Sequence, residues 1–184
     1  MSEPDYDGDN PMMRGSEEIV ESDYLTDAIS DEAVDFIDRN ADQPFCLVVS
    51  YNAVHSPMQA RKEDLQVIRR IKDVQRRIFA GMLMALDRGV GRIRESLSDH
   101  GLTRHTMVVL VSDNGGPTQE LTSSNAPLRG GKGSLYEGGI RVPMVWSDPA
   151  GLPVGMIENR TVLSLDIAAT ALDLAGLPAD ESFD

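Results

Sequence analysis

Residues 106–116, TMVVLVSDNGG, decide the fold that this sequence predicts. The first seven form an apolar run of strand length, which is typical of a strand buried on both faces of a parallel sheet. Asp113, Asn114 and two glycines follow at once. Ligands bind beyond the carboxyl ends of the strands in open α/β sheets. The change from an apolar run to polar residues and glycines therefore predicts a binding site at the end of this strand.

The flanking sequence predicts further strands and helices in alternation. The predicted strands lie at 44–51 (PFCLVVSY), 142–146 and 162–165. The first predicted helix is capped by Thr26 and has Ile29, Ala33, Phe36 and Ile37 on one face. A long helix is predicted from Leu65 to Leu97 and stops at Gly101. A third helix is predicted at 167–174. This alternation predicts an α/β fold with a central, mostly parallel sheet flanked by helices.

Two segments are predicted from the composition along the chain. Residues 1–22 are acidic and polar with little apolar periodicity, so they predict a loop or ragged end. Residues 23–184 carry the strand and helix patterns and are predicted to form the folded domain. The polar N-terminus does not match a secretory signal, and no apolar stretch reaches the length of a membrane span.

The overall charge limits the classes of partner. The formal net charge is −13 over 184 residues. Nucleic acids and anionic membranes bind surfaces with clustered lysine and arginine, so neither is an expected partner. A small anionic substrate is still compatible, because one focused site can oppose the overall field. Cys46 is the single cysteine, which rules out a disulfide framework within the chain.

A glycine-rich stretch at 128–143, LRGGKGSLYEGGIRVP, predicts an unusual loop. Five glycines in sixteen residues indicate an unusual backbone conformation or close backbone approach. Lys132 stands between two of these glycines, with no bulky neighbour to shield its ammonium group. It is well suited to place a point charge on a tetrahedral anion.

Polar residues after two predicted strands complete a candidate site. Asp113 and Asn114 offer hard oxygen ligands that suit Ca²⁺ or Mg²⁺, although they supply only part of a calcium shell. His55 follows the strand at 44–51 and could bind an anion oxygen or protonate a leaving alkoxide. Each motif alone also fits a simple turn. Together they indicate metal-assisted transfer of a sulfuryl or phosphoryl group.

Three blocks of the sequence resemble a known family. SYNAVHSP, VVLVSDNGGPT and LRGGKGSLYEGGIRVPMVW look like consecutive blocks of the sulfatases, within the alkaline-phosphatase-like superfamily. The resemblance is to the arylsulfatase and N-acetylgalactosamine-6-sulfatase type, and it spans about Tyr24 to Pro178. It implies hydrolysis of sulfate esters of aryl alcohols or sugars, and hence a sulfated glycan as a partner. For the intact enzyme it implies a periplasmic or secreted location.

The resemblance also implies a role for each site residue. Asp113 and Asn114 match the second pair of calcium ligands of the family. Lys132 matches the lysine that holds a sulfate oxygen. His55 matches the histidine that binds the ester and assists the leaving group.

The chain departs from the family pattern at the nucleophile. Sulfatases carry paired aspartates and a Cys-x-Pro-Ser-Arg type motif whose cysteine becomes formylglycine. Cys46 is followed by Leu-Val-Val-Ser, so no nucleophile is identified in this chain. We therefore expect an interior segment of a longer sulfatase, without the N-terminal nucleophile region and the C-terminal subdomain, and inactive alone. Uncovered sheet edges and apolar faces predict marginal stability or self-association.

Two alternatives stay open at this point. The chain could be a non-catalytic remnant that binds calcium or sulfated glycan. It could also belong to a superfamily relative that cleaves phosphate or phosphonate esters. The glycine-rich block favours a sulfatase over the second alternative.

Overall fold

The fold is that of a computed structural model, which describes residues 12–118, 122–148 and 150–178. The chain divides into two compact units, Met1–Gly101 and Leu102–Asp184. Each unit has its own elements. Within the described ranges, no helix combines the length and the apolar character that a membrane span needs.

The first unit opens with a short hairpin. Strand β1 (Met12–Arg14) pairs antiparallel with β2 (Glu17–Ile19), and Gly15 between them has a φ of 63°. Part of the segment expected to be a loop is thus a hairpin, because Gly15 adopts the left-handed conformation that a tight turn needs. Residues 1–11 of that segment lie outside the described residues.

Two long helices form the core of the first unit. Helix α1 (Leu25–Asn40) packs on α3 (Val74–Asp99), and the short helix α2 (Lys62–Val67) also contacts α3. The apolar face predicted for α1 is confirmed at Ala33 and Ile37, which are buried. The buried apolar side chains of the core are Ala33, Ile37, Met82, Ala85 and Leu97.

A glycine on α3 lets the neighbouring segments approach closely. A Cβ added to Gly89 would lie 2.3 Å from Ser30 Oγ and 2.8 Å from the Tyr51 hydroxyl. These two hydroxyls lie 2.9 Å apart and share a hydrogen bond. Gly89 therefore allows the segment before His55 to dock on both long helices.

A network of charges lies beside this core. Arg88 on α3 donates to Asp64 Oδ1 at 2.8 Å and to Asp27 Oδ1 at 3.2 Å. Arg61 donates to the other oxygen of Asp27 at 2.6 Å. The hydrogen bond to Asp64 raises the pKa of Arg88 above its ordinary value. The network ties α1, α2 and α3 together through groups that are partly removed from water.

Three predictions for the first unit are wrong. The long helix is two helices, because Asp73 caps a new one at α3 by accepting from Arg76 N at 2.7 Å. Thr26 does not cap α1, since Tyr24 is the N-cap and Thr26 is buried in the first turn. The segment 44–51 forms no strand, and its exposure alternates, with Val48 82% exposed. In the described part of the chain no strand pairs with this segment, so its backbone groups join no β-ladder.

The second unit is built on one pair of strands. Strand β3 (Val108–Val111) pairs antiparallel with β4 (Met144–Ser147), with Val109 opposite Trp146. The chain between them contains the short helix α4 (Glu137–Ile140), and helix α5 (Leu165–Leu174) follows. Gly176, with a φ of 66°, follows the end of α5 as predicted.

The predicted strands of the second unit need correction. Strand β3 is shorter than 106–112 and half-exposed, with Leu110 47% exposed, so it is not covered on both faces. The strand expected at 142–146 begins two residues later, after Pro143. The strand expected at 162–165 is absent, because Leu165 already starts α5. The described strands all pair antiparallel, so a mostly parallel sheet is not seen in the described ranges.

Candidate active site

The loop after β3 sets the positions of the two predicted metal ligands. Ser112 Oγ donates to Asn114 O at 2.9 Å, and Asn114 N donates to Asp113 Oδ1 at 2.9 Å. The Asn114 side-chain nitrogen donates to Gly115 O at 3.0 Å. This hydrogen bond uses only the nitrogen of the Asn114 side-chain amide, so the amide oxygen can still act as an acceptor.

Lys132 occupies the corner of a tight turn. Ser134 N donates to Gly131 O at 3.0 Å, which closes a four-residue turn over Lys132 and Gly133. Gly133 has a φ of 81°, as the third position of a type II turn requires. Ser134 Oγ also accepts from Gly131 N at 3.2 Å. The turn is therefore held by both the backbone and a side chain, and Lys132 is exposed at its tip.

Backbone hydrogen bonds join the loop after β3, which carries Asp113 and Asn114, to the loop that carries Lys132. Lys132 N donates to Gly116 O at 3.3 Å, and Gly115 N donates to Gly139 O at 2.9 Å. A Cβ on Gly115 would lie 1.8 Å from Gly138 O. The glycines are thus needed because the two loops lie backbone against backbone. The structure brings Asp113, Asn114 and Lys132 into one interlocked pair of loops.

Asn125 is a positioning residue that the sequence analysis missed. Its side chain accepts from Gly116 N at 3.0 Å and donates to Gly116 O at 2.9 Å and Gly130 O at 3.1 Å. It therefore bridges the loop that carries Asp113 and the loop that carries Lys132. The only signal was its place in the turn-forming run SSNAP at 123–127, which gives no sign of its partners.

The donor chemistry at Asp113 and Asn114 fits a calcium ion in part. One carboxylate and one amide oxygen are neighbouring hard donors, whereas calcium takes six to eight oxygens. In the part of the chain that the structure describes, no group of three or more histidine, cysteine or acidic residues forms a metal cluster. The two residues can therefore hold one side of the ion, and the remaining ligands must come from other groups.

His55 lies in the first unit, in a segment anchored on both sides. Asn52 Oδ1 accepts from Thr26 Oγ1 at 3.4 Å before it, and Gln59 O accepts from the Tyr24 hydroxyl at 2.8 Å after it. His55 Nδ1 lies 2.7 Å from Ser56 O. Because a carbonyl oxygen only accepts, Nδ1 carries the hydrogen in this hydrogen bond, and Nε2 is the other nitrogen of the ring.

Comparisons with known proteins define the family. The sulfatase family model matches residues 2–177. A sulfatase from Formosa agariphila is 33% identical over 95% of this chain and 33% of its own length. Human steryl-sulfatase is 32% identical over 92% of this chain and 30% of its own length. The chain therefore belongs to the sulfatase family, and it spans about a third of the length of these relatives.

A solved structure supports the fold. The crystal structure of Ps i-CgsB, in complex with k-i-k-neocarrahexaose, matches with a TM-score of 0.90 and 40% identity. The match covers 94% of this chain and 39% of that chain. The predicted alkaline-phosphatase-like fold is thus confirmed at the level of the family.

Proposed function

We propose that the protein takes part in the hydrolysis of sulfate esters, with residues of this chain forming part of the site. Asp113 and Asn114 would hold one side of a calcium ion. Lys132 would bind a sulfate oxygen, and His55 would donate a proton to the leaving alcohol. The observation that carries the proposal is the interlock of the Asp113 and Lys132 loops through Gly116.

The interlock matters because catalysis by charge depends on fixed positions. Donors and cations that are held before the reaction need no reorganisation when charge develops. A bound calcium ion would offset negative charge on the sulfate oxygens. The Lys132 ammonium, at the tip of its turn, would bind such an oxygen as a point charge.

The role of His55 follows from its tautomer. With Nδ1–H directed to Ser56 O, the protonated ring would present Nε2–H to the departing oxygen. A proton donor matters most for a poor leaving group such as a sugar alkoxide. A phenolate with a low pKa leaves readily without it.

The substrate class we propose is a sulfated glycan or an aryl sulfate. The relative Ps i-CgsB was crystallised with k-i-k-neocarrahexaose, which supports a carbohydrate substrate here. We further propose that β3 and β4 belong to the central, mostly parallel sheet of the family, and that the open edges favour self-association. A periplasmic or secreted location would suit a polymeric glycan substrate.

The test is hydrolysis by the protein expressed from its complete reading frame. We expect Lys132→Ala to lower kcat/KM for an aryl sulfate by about a hundredfold or more. His55→Ala should lower it more for a sugar sulfate than for a nitrophenyl sulfate, because only the sugar needs the proton. Lys72→Ala and His105→Ala are the matched controls and should match the wild type within about twofold.

Parallel assays separate the alternatives. Faster cleavage of the matched phosphate ester would replace the proposal with a phosphoesterase. Calcium or glycan binding with no hydrolysis of either ester would make the protein a non-catalytic binder. Equal losses in Lys72→Ala and Lys132→Ala would remove Lys132 from the site.

A further inference from the structure

An arginine and a tyrosine stack at the base of the Lys132 turn. The guanidinium carbon of Arg129 lies 3.8 Å from the centroid of the Tyr136 ring. Both side chains are exposed, Tyr136 at 49%. They flank the turn that carries Lys132, one on each side in sequence. The stack therefore belongs to the same loop as the proposed sulfate-binding lysine.

The backbone under this stack is fixed. Gly138 N donates to Arg129 O at 2.8 Å, and Gly139 N donates to Tyr136 O at 2.7 Å. A Cβ added to Gly138 would lie 2.2 Å from Gly130 O, so the chain passes close to Arg129 only because glycine is present. Both ends of the stack are thus held by the backbone that also shapes the Lys132 turn.

Within the described part of the chain, the guanidinium of Arg129 contacts the ring of Tyr136 rather than a carboxylate. There, Arg129 forms no salt bridge, whereas Arg88, Arg92 and Arg141 each pair with a carboxylate. Stacking on an aromatic face leaves the N–H donors at the edge of a guanidinium able to bind a planar or tetrahedral anion in a bidentate manner. An exposed, stacked arginine on a chain of net charge −13 is therefore suited to an anionic ligand.

We propose that Arg129, positioned by Tyr136, is a specificity residue that binds a second anionic group of the substrate. This group is a sulfate or carboxylate on the glycan, distinct from the ester that Lys132 holds. The inference rests on the proposed function and extends it to substrates that carry more than one charge. Arg129 binds the substrate without acting on the reacting bond, and Tyr136 acts through Arg129.

The experiment compares two substrates with the protein from its complete reading frame. One is an aryl monosulfate, and the other is an oligosaccharide with a sulfate on each sugar. We expect Arg129→Ala to raise KM for the oligosaccharide by about ten- to a hundredfold, as for the loss of a charged hydrogen bond. The kcat for the oligosaccharide and the kcat/KM for the aryl sulfate should stay within twofold.

Further variants separate recognition from folding. Tyr136→Phe keeps the ring and should behave as the wild type, whereas Tyr136→Leu should reproduce much of the Arg129→Ala effect. Arg104→Ala, another exposed arginine of the second unit, is the control. The KM effect should weaken as salt is raised, because ions screen the contact.

Each outcome decides between the two proposals. Equal losses on both substrates in Arg129→Ala would overturn the inference and make the stack a brace for the Lys132 turn. Unchanged KM for the oligosaccharide would overturn it as well. A wild-type protein that cleaves neither substrate would overturn the proposed function, and the inference with it.

Discussion

The side chain of Asn125 pairs with both backbone groups of Gly116, accepting from its N–H at 3.0 Å and donating to its carbonyl at 2.9 Å. This is the hydrogen-bonding pattern that a neighbouring strand would offer. The pairing at Gly116 therefore helps to hold the backbone that follows β3, which includes Asp113 and Asn114, in a fixed conformation. The same amide nitrogen reaches Gly130 O at 3.1 Å and so fixes the start of the Lys132 turn.

Replacement of Asn125 should therefore weaken the second unit. Asn125→Ala leaves the partly buried N–H of Gly116 without its side-chain acceptor and removes the bonds that Asn125 donates to Gly116 O and Gly130 O. We expect a loss of about 1–3 kcal/mol in the free energy of unfolding. Urea unfolding followed by the fluorescence of Trp146, the single tryptophan of the sequence, reports on this unit. Asn159→Ala, at an exposed position, should leave the midpoint unchanged. Equal midpoints for both variants would contradict the bridging role.

Two glycine substitutions should have opposite effects on stability. Gly115→Ala places a Cβ 1.8 Å from Gly138 O, so backbone must move and the variant should lose stability. Gly91→Ala, within α3, meets nothing within 4 Å and should gain about 0.5–1 kcal/mol from helix propensity. Trp146 fluorescence would follow the first variant and far-UV circular dichroism the second. A tolerated Gly115→Ala would show that the two loops are not interlocked.

The site residues stay a prediction from the sequence, whereas several of the predicted strands are wrong. Asp113, Asn114 and Lys132 were identified from residue type and order, because the chemistry of a charge or an oxygen donor belongs to the residue itself. Their interlock could not be predicted, since it depends on Asn125 and on glycines whose neighbours are distant in sequence. No pattern within the run at 123–127 identifies Gly116 as the partner.

The strand predictions failed for a related reason. An apolar run such as 44–51 shows that a segment can be extended and partly buried, but a strand also needs a partner for its backbone groups. Helices carry their hydrogen bonds internally, and the apolar face of α1 was accordingly predicted correctly. The break before α3 was missed because the apolar spacing continues across it, while the capping signal of Asp73 is a single residue.

Two arginines of α3 allow a test of how burial changes the contribution of an ion pair to stability. Arg88 pairs with Asp64, whose side chain is 7% exposed, whereas Arg92 pairs with Asp31, which is 53% exposed. Arg88→Met leaves a buried carboxylate without its partner, and we expect a loss of about 3 kcal/mol. Arg92→Met should cost about 1 kcal/mol or less.

Far-UV circular dichroism during urea unfolding measures both variants, because α1 and α3 carry most of the described helix. The double variant Arg88→Met with Asp64→Leu should recover part of the loss, since the uncompensated charge is then gone. Equal losses for Arg88→Met and Arg92→Met would show that the network is as well solvated as a surface pair.

Calcium should stabilise the second unit if Asp113 and Asn114 bind it. A ligand that binds only the folded state adds about 1.4 kcal/mol when its concentration is ten times Kd. We expect added calcium to raise the midpoint of the Trp146 transition, and Asp113→Ala to abolish the rise. Asp173→Ala, an exposed carboxylate on α5, is the control and should keep it. A rise that survives Asp113→Ala would place the ion elsewhere.

The loss of folding stability at acid pH should depend on Asp38. Asp38 Oδ1 lies 2.8 Å from His100 Nε2 and accepts from Ser96 Oγ at 3.2 Å. The bond to His100 is the main reason that the pKa of Asp38 falls below its ordinary value of 3.8. A carboxyl group with a lowered pKa contributes stability that is fully present above the unfolded pKa and is lost as pH falls through the folded pKa.

Asp38→Asn should therefore be less stable than the wild type near neutral pH, and the difference should shrink as pH drops below 3.8. Urea midpoints from far-UV circular dichroism across that range measure it. Asp35→Asn, an exposed carboxylate on the same helix, controls for the loss of one negative charge. A difference between wild type and Asp38→Asn that stayed constant into acid would mean that Asp38 keeps an ordinary pKa, and that its bond to His100 adds no stability.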